Sequence, residues 1–173
     1  MALLTAFTGL VVVAPAPAQA APPWLYILNE KSGKVLQGRT TAKGVGVLQK
    51  TYIGSQPQQW LLVDVDGDNI WDEGDIVGFR NAGTSSQYGL AISGGRIDNG
   101  APAILWDYHM NNAEQQWVLH YVLRNTVPPL VTLKNVGSGR CLAIGSGSTA
   151  DNAAAIQWNC NGGLEQMWNI PFS

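Results

Sequence analysis

Gln-x-Trp is written three times in this chain, as Gln58-Gln59-Trp60, Gln115-Gln116-Trp117 and Gln166-Met167-Trp168. Each copy closes a segment that opens with an Asn, a small-residue turn and a Leu, at Leu28–Leu36, Arg80–Leu90 and Lys134–Leu142. Between opening and close lies an apolar run, at Gly46–Lys50, Pro102–Trp106 and Ala154–Trp158. One such unit cannot bury its apolar side alone and needs its sisters, so the repeat predicts the architecture of the whole chain.

The order of these pieces resembles the ricin-B-type lectin family, in which three such units form a β-trefoil. Three in-phase copies make the resemblance specific, whereas a single Gln-x-Trp would mean little. It implies an all-β fold, a β-trefoil of three pseudo-symmetric repeats at about 24–68, 76–122 and 130–173 in one domain at 21–173. It also implies a protein that binds glycans and is not an enzyme.

The local pattern agrees with an all-β fold. Short β-branched and aliphatic runs alternate with Gly, Asn and Ser clusters, and no segment keeps a helical period. The predicted strands are Trp24–Asn29, Val47–Lys50, Trp60–Val65, Asp75–Asn81, Gly89–Ile92, Ala103–Asp107, Trp117–Tyr121, Leu130–Asn135, Cys141–Ile144, Ile156–Asn159 and Met167–Ile170. Three small sheets about a pseudo-threefold axis would leave few exposed edges.

The first twenty residues are typical of a secretory signal peptide. An apolar stretch around Leu10–Val13 precedes Ala18-Gln19-Ala20, a small-residue triplet that signal peptidase prefers. The stretch is too short to span a bilayer as a helix. No Lys or Arg precedes Lys31, so we expect the native start to lie upstream of Met1. The alternative is a cytosolic chain with a disordered Ala/Pro-rich leader.

Charge argues against two classes of partner. The formal net charge is −2, and the ten Lys and Arg are scattered singly. Nucleic acids and anionic membranes both favour clustered basic residues, so neither is expected as a partner. We expect a secreted monomer that binds glycans or polysaccharide.

The two cysteines, Cys141 and Cys160, both lie in the third repeat. In an exported protein an even pair favours a disulfide, and ricin-B-type lectins often bridge these two positions within a repeat. Metal ligation by two lone thiolates is the weaker alternative. A loop of this length predicts a stabilisation of about 3 kcal/mol.

The Gln-x-Trp residues are interpreted first as structural. In a strand, residues two apart share a face, so the Gln and the Trp of each triplet are expected to point inward. Trp60, Trp117 and Trp168 then share the core, while the three Gln side chains satisfy backbone groups of their own loops.

Candidate sugar-binding residues follow from the resemblance. The family stacks a sugar on the aromatic residue that ends the apolar run, takes a carboxylate from an Asp in the first strand, and has an Asn before Gln-x-Trp. The aromatic place holds Trp106 and Trp158 but Lys50 in the first repeat. The residues implied as sugar contacts are Trp106, Asp107, Glu114, Gln115, Trp158, Asn159, Glu165 and Gln166.

The family's Asp is missing from all three repeats. Its place holds Gln37, Ala91 and Ala143, so the sites are predicted to be weak or altered. Glu114 and Glu165, which stand directly before Gln-x-Trp, are expected to return a carboxylate nearby. Solvated carboxylates beside the structural Gln are the plain alternative, as are indoles packed under the hairpin and ordinary strand polarity at Asp107 and Asn159.

An acidic segment, Asp64–Asp75, joins the first two repeats and holds six of the twelve acidic residues. Aspartates at its positions 1, 3, 5, 9 and 12 follow the oxygen-ligand spacing of a calcium loop. The predicted ligands of a possible Ca²⁺ are Asp64, Asp66, Asp68, Asp72 and Asp75. The segment departs from EF-hand loops because Asn69 stands where Gly is expected. An exposed acidic turn is the alternative.

Two function classes remain open from the sequence. The first is a secreted, non-catalytic carbohydrate-binding module with partly degenerate sites in repeats two and three. The second is a pseudo-lectin trefoil used for protein–protein contact or protease inhibition, with the repeat junctions as its contact surfaces. A hydrolase is less favoured, because His109 and His120 sit in no catalytic motif and Glu114 and Glu165 occupy equivalent places in different repeats.

Overall fold

The computed structural model describes residues 24–68 and 71–171, so the predicted signal peptide lies outside the described residues. These ranges contain thirteen strands, short 3₁₀ turns and no α-helix. The strands are β1 Trp24–Leu25, β2 Leu28–Asn29, β3 Val35–Gly38, β4 Val47–Lys50, β5 Trp60–Asp64, β6 Ile76–Asn81, β7 Tyr88–Ile92, β8 Ala103–Asp107, β9 Trp117–Leu123, β10 Leu130–Asn135, β11 Cys141–Ile144, β12 Ala155–Trp158 and β13 Trp168–Asn169. Within this part of the chain, nothing is helical, long and apolar enough to cross a membrane.

Seven strands form a closed ring, in which the short strands β1 and β2 together take one place. Antiparallel pairing runs in the order β1-β5-β6-β9-β10-β13-β2. β1 and β2 follow each other directly in the chain, so the ring closes through them. Closure leaves no free edge in this layer, because every ring strand has a neighbour on both sides.

Three hairpins cover one end of the ring: β3–β4, β7–β8 and β11–β12. Isolated bridges join each hairpin to the next, at Gly46↔Ile104, Pro102↔Ile156 and Leu48↔Ala154. The arrangement repeats three times about a central axis, and the chain is a β-trefoil of three pseudo-symmetric repeats, as predicted. We call the repeats units one, two and three, each holding one hairpin.

The strand predictions differ from the structure in three respects. The predicted strand Trp24–Asn29 is divided into β1 and β2, which pair with different neighbours. β3, Val35–Gly38, was not predicted, because two apolar residues between Gly33 and Gly38 give too short a pattern. The three small sheets are in fact one sheet, because ring strands of neighbouring units pair with each other. β5 pairs with β6 and β9 with β10, which local sequence does not encode.

The three repeated Trp residues belong to one buried core cluster, as predicted. Trp60, Trp117 and Trp168 are fully buried. Each indole Nε1 donates to a carbonyl in the first hairpin strand of its own unit: that of Leu36 at 3.1 Å, Leu90 at 3.3 Å and Leu142 at 3.1 Å. The polar atom of each indole is therefore satisfied while its rings fill the core, a requirement for burying Trp at low cost.

Candidate functional site

Trp106 and Trp158 stand at equivalent places at the ends of β8 and β12. Their side chains are 41% and 43% exposed, whereas the three core Trp residues have no exposure. Each borders a shallow depression formed by the hairpin of its own unit. The two depressions are related by the threefold repeat of the fold.

The unit-two depression has a volume of about 550 Å³. Ala91, Ile92 and Ile104 supply its apolar surface, the turn Ser93–Gly95 forms one wall, and Trp106 and Glu114 complete it. Gly94 and Gly95 both have positive φ, of 64° and 61°, which glycine adopts without strain. An indole face beside apolar surface and one carboxylate is a suitable surface for a pyranose ring.

The unit-three depression has a volume of about 410 Å³ and the same plan. Ala143, Ile144 and Ile156 replace the apolar residues, and the turn Gly145–Gly147 replaces the wall. Trp158 and Glu165 take the places of the indole and the carboxylate. Asn161 adds an amide to the lining, and no described residue of the unit-two depression supplies one. Two separate segments of the chain thus form two depressions with the same arrangement of residues.

Each of the two Glu residues is anchored through its backbone to a turn of the following unit. Asn135 Nδ2 donates to the Glu114 carbonyl at 3.1 Å, and Asn29 Nδ2 donates to the Glu165 carbonyl at 3.0 Å. Both Asn side chains are buried, so the attachment is protected from water. The Glu114 carboxylate lines the unit-two depression and the Glu165 carboxylate lines the unit-three depression, so the two do not share one site.

The floor confirms that the family's Asp has no counterpart here. Ala91 and Ala143 are buried on the floor of the two depressions. In unit one the matching place holds Gln37, whose Oε1 is buried and has no hydrogen-bond partner within the described residues. Lys50 replaces the Trp at the end of β4.

Asp107 and Asn159 follow the two Trp residues and make contacts between units. Asp107 pairs with Lys43, whose Nζ lies 4.4 Å from the centroid of the Trp106 ring. Asn159 Oδ1 accepts from Arg140, and its backbone N donates to Asn99 Oδ1 at 2.8 Å. Neither is among the described residues that line its depression: the Asp107 side chain is paired across a unit boundary, and the Asn159 side chain is bonded within its own unit.

Gln115 and Gln166 are almost completely buried, and Gln166 also lines the unit-three depression. Gln115 Oε1 accepts from the His109 N–H and its Nε2 donates to the Asp107 carbonyl, both at 2.7 Å. Gln166 bonds in the same way to Asn161 N and Asn159 O, at 3.0 and 2.8 Å. The prediction that these Gln side chains satisfy their loops is confirmed. Both ends of each amide are bonded within its own loop, and a direct contact of either Gln with a sugar stays a prediction.

The sequence reasoning missed the apolar floor and the turn walls. Ile104, Ile156, Ser93–Gly95 and Gly145–Gly147 line the depressions but were not named as site residues. Gly94-Gly95 was visible only as a turn signal. The in-phase repeat could have identified the set, since both depressions use the same offsets from Trp.

The disulfide Cys141–Cys160 is present, as predicted, and ties the start of β11 to the residues just after β12. Unit two has Gly89 and Tyr108 at these places, and the Tyr108 ring lies where a Cβ on Gly89 would be, 2.5 Å from Cδ2. Burial raises the pKa of the Tyr108 phenol, and Arg80 opposes this. In unit two, packing of the Tyr108 ring against Gly89 thus holds the two sides of the hairpin together, where unit three has a disulfide.

The acidic segment brings together three of its five predicted calcium ligands. Carboxylate oxygens of Asp64, Asp66 and Asp68 lie within 4.8 Å of one another. A hydrogen bond with Asp64 raises the pKa of Asp66, as expected for two close carboxylates. These three residues could hold a divalent cation.

The other two predicted ligands have different partners. Asp72 forms an ion pair with Arg124, and Asp75 Oδ2 accepts from the Asp72 N–H. Neither joins the group of three, and Asn69 lies outside the described residues. Calcium binding by this segment stays a prediction.

Comparison with known proteins identifies the family that the chain resembles. The sequence model of the ricin-type beta-trefoil lectin domain-like family matches residues 113–173, which include the end of unit two and all of unit three. Comparison with curated proteins found no significant match.

Several solved structures share the fold. A designed threefold-symmetric protein, ThreeFoil, is 28% identical with a TM-score of 0.72, and the match covers 87% of this chain and 99% of ThreeFoil. The ricin B-like lectin of Macrolepiota procera, solved with lactose, is 19% identical with a TM-score of 0.62, covering 90% and 100%. An exo-beta-1,3-galactanase from Clostridium thermocellum is 20% identical with a TM-score of 0.74, covering 89% of this chain but 31% of the galactanase.

These matches confirm the resemblance predicted from the repeats: the chain is a β-trefoil similar to the ricin-B-type lectins. The disulfide also fits an extracellular protein, because such bonds persist in oxidising compartments.

Proposed function

We propose that this protein is a secreted, non-catalytic carbohydrate-binding module with two shallow sites, one at Trp106 and Glu114 and one at Trp158 and Glu165. The observation that carries the proposal is the pair of half-exposed indoles, each beside a carboxylate in an equivalent depression. An indole in contact with solvent at two symmetry-related places is not explained by core packing, which the three buried Trp residues already provide.

Binding would divide between stacking and hydrogen bonding. The apolar C–H face of a pyranose would lie on the exposed indole, burying apolar surface from both. Hydroxyl groups would then donate to the Glu carboxylate and reach the backbone of the glycine-containing turn. Hydrogen bonds to charged groups contribute about 1.5–3 kcal/mol each, so one carboxylate makes a substantial difference to a weak site.

The sites are altered relative to the ricin-B-type pattern. Ala91 and Ala143 offer no side-chain acceptor, so each depression takes its carboxylate from the side on which Glu114 or Glu165 lies. A sugar held from that side would present different hydroxyls to the protein. Unit one has Lys50 and Pro57 at the places of the indole and the carboxylate, and we assign it no site.

The protein is proposed to act outside the cell as a monomer, with glycans or polysaccharide as partners. The disulfide and the predicted signal peptide support export. The scattered basic residues and a net charge of −2 give no support to nucleic acid or an anionic membrane as partner.

Intrinsic fluorescence offers a direct test. Trp106 and Trp158 are exposed and should respond to bound sugar, whereas the three core indoles should not. Polysaccharides and oligosaccharides are titrated against the wild type and against a Trp106→Ala/Trp158→Ala variant whose fold is checked by its melting curve. A sugar-dependent change that the double variant loses is expected. Identical responses from both proteins would remove the proposal.

The second candidate is a pseudo-lectin used for protein contact or protease inhibition. Apolar side chains exposed near the junction of units two and three favour it, namely Val122, Leu123 and Val127. Binding of a protein partner or protease that is abolished by Leu123→Asp/Val127→Asp, together with no response to any sugar, would favour this candidate over the first.

A further inference from the structure

The two depressions differ in the charge around their carboxylates. Asn135 holds the Glu114 backbone and Asn29 holds the Glu165 backbone by equivalent hydrogen bonds, of 3.1 and 3.0 Å. The turns that these two Asn residues begin therefore stand in the same position relative to the two sites. Residues that follow Asn29 and Asn135 by the same number of positions are therefore placed alike relative to Glu165 and Glu114.

Two residues after the Asn, the two turns carry different residues: Lys31 in one and Gly137 in the other. Lys31 Nζ lies 3.7 Å from the Glu165 carboxylate, whose side chain is 20% exposed. The ammonium also approaches the turn wall of the unit-three depression, 2.5 Å from the position of a Cβ on Gly147. Gly137 has no side chain to offer Glu114.

Glu114 therefore keeps its charge uncompensated. Within residues 24–68 and 71–171, no Lys, Arg or His nitrogen lies within 4.0 Å of its carboxylate. Lys43 is near Trp106, but it pairs with Asp107, and neither is among the described residues lining the depression. The unit-two depression combines an exposed indole with an unpaired carboxylate, and the unit-three depression combines an indole with a paired one.

We propose that the unit-two site selects sugars that carry a free, protonated amino group, whereas the unit-three site does not distinguish them from their N-acetylated forms. This rests on the proposed function. An ammonium on the sugar ring would form a charge-assisted hydrogen bond with Glu114 while the ring lies on Trp106. At Glu165 the same ammonium would meet Lys31. An exposed ion pair of this kind predicts a preference of roughly two- to fivefold.

The test uses matched sugars that differ only in the amine. Oligomers of glucosamine and of galactosamine are titrated calorimetrically beside their N-acetylated counterparts, at a slightly acidic pH that keeps the amine protonated. The wild type is expected to bind the amine form more tightly at one site. Glu114→Gln should remove the preference, and raising the pH until the amine is neutral should remove it as well.

A reciprocal exchange separates the charge from other properties of the sites. Gly137→Lys should lower the preference of unit two, and Lys31→Gly should create a second amine-preferring site and so double the stoichiometry of preferred binding. Both changes suit the fold, because a Cβ on Gly137 would be 3.4 Å from its nearest neighbours in Ala113 and Lys31 is exposed.

Three results would overturn the inference: equal affinity for both forms, a preference that survives Glu114→Gln, or no binding of any amino sugar in the panel. The proposed function fails separately. Neutral sugars that bind the wild type and not the Trp106→Ala/Trp158→Ala variant would uphold it even where the amine makes no difference.

Discussion

Replacing Gln115 by Ala should destabilise the protein through the loss of two buried hydrogen bonds. The side chain is buried, and its two ends close the loop between β8 and β9 through the His109 N–H and the Asp107 carbonyl, both at 2.7 Å. This loop separates Trp106 from Glu114, the two groups of the unit-two site. Its geometry therefore determines both stability and binding.

The expected loss is about 3 kcal/mol. A net hydrogen bond contributes about 1 kcal/mol, and a buried donor or acceptor left without a partner costs about 1–3 kcal/mol, so two bonds give roughly 2–4 kcal/mol. For a domain of this size that corresponds to a fall in melting temperature of about 6–12 °C. Sugar binding at unit two should weaken as well, because the loop that positions Glu114 loses its attachment.

Denaturant unfolding followed by Trp fluorescence measures the loss, with two matched controls. Gln116→Ala removes a neighbouring side chain whose Nε2 donates to the Met110 carbonyl at an exposed position, and should cost well under about 1 kcal/mol. Gln58→Ala removes the equivalent buried amide of unit one and should cost as much as Gln115→Ala without altering sugar binding. Equal losses for Gln115→Ala and Gln116→Ala would refute the reasoning.

Three further predictions concern other parts of the molecule. Replacing Cys141 and Cys160 by Ser should cost about 3 kcal/mol in denaturant unfolding, and reduced wild type should match the variant; a loss below about 1 kcal/mol would contradict the loop-entropy estimate. Bonds from the Tyr121 N–H and from His120 lower the pKa of Glu73 below 4.5, so its contribution is present above that pH and lost as the pH falls through the folded-state pKa. Glu73→Gln should thus lower the melting temperature at neutral pH but not in acid, and a pH-independent difference would argue against it. Calcium should raise the melting temperature of the wild type and not that of Asp64→Asn/Asp66→Asn, whereas curves unaffected by calcium or chelator favour an ordinary acidic turn.

The fold was predictable because the repeat supplied three independent copies of one pattern. The inward direction of Trp60, Trp117 and Trp168 was predicted from the period of a strand, and it is confirmed. The reason differs, because the Gln of each triplet lies in a 3₁₀ turn before the strand that the Trp begins. The disulfide followed from the positions of Cys141 and Cys160 in the repeat. β3 was missed because its pattern is too short to stand out.

The candidate sites were predictable only in part. Trp106, Trp158, Glu114 and Glu165 were identified by their place in the repeat, and each pair lies in one depression. Gln115 was named together with Glu114, but its burial could not be read from its place beside Glu114 in the sequence. Glu114 and Gln115 lie in a 3₁₀ turn, where the first lines the depression and the second is bonded to its own loop.

By itself, the sequence determined the number of units, the residues that fill the core and the two units that retain an indole at the hairpin end. These are properties of a local pattern. Because one unit cannot bury its apolar face alone, three copies of the pattern predict that the units pack together around one core. Only the tertiary structure decided which charges meet. Lys31 and Glu165 are more than a hundred residues apart, and Lys43 pairs with Asp107 across a unit boundary, because closing the ring places the first unit against both of the others. Pairing across a closed ring depends on which strands become neighbours, and no local pattern carries that information.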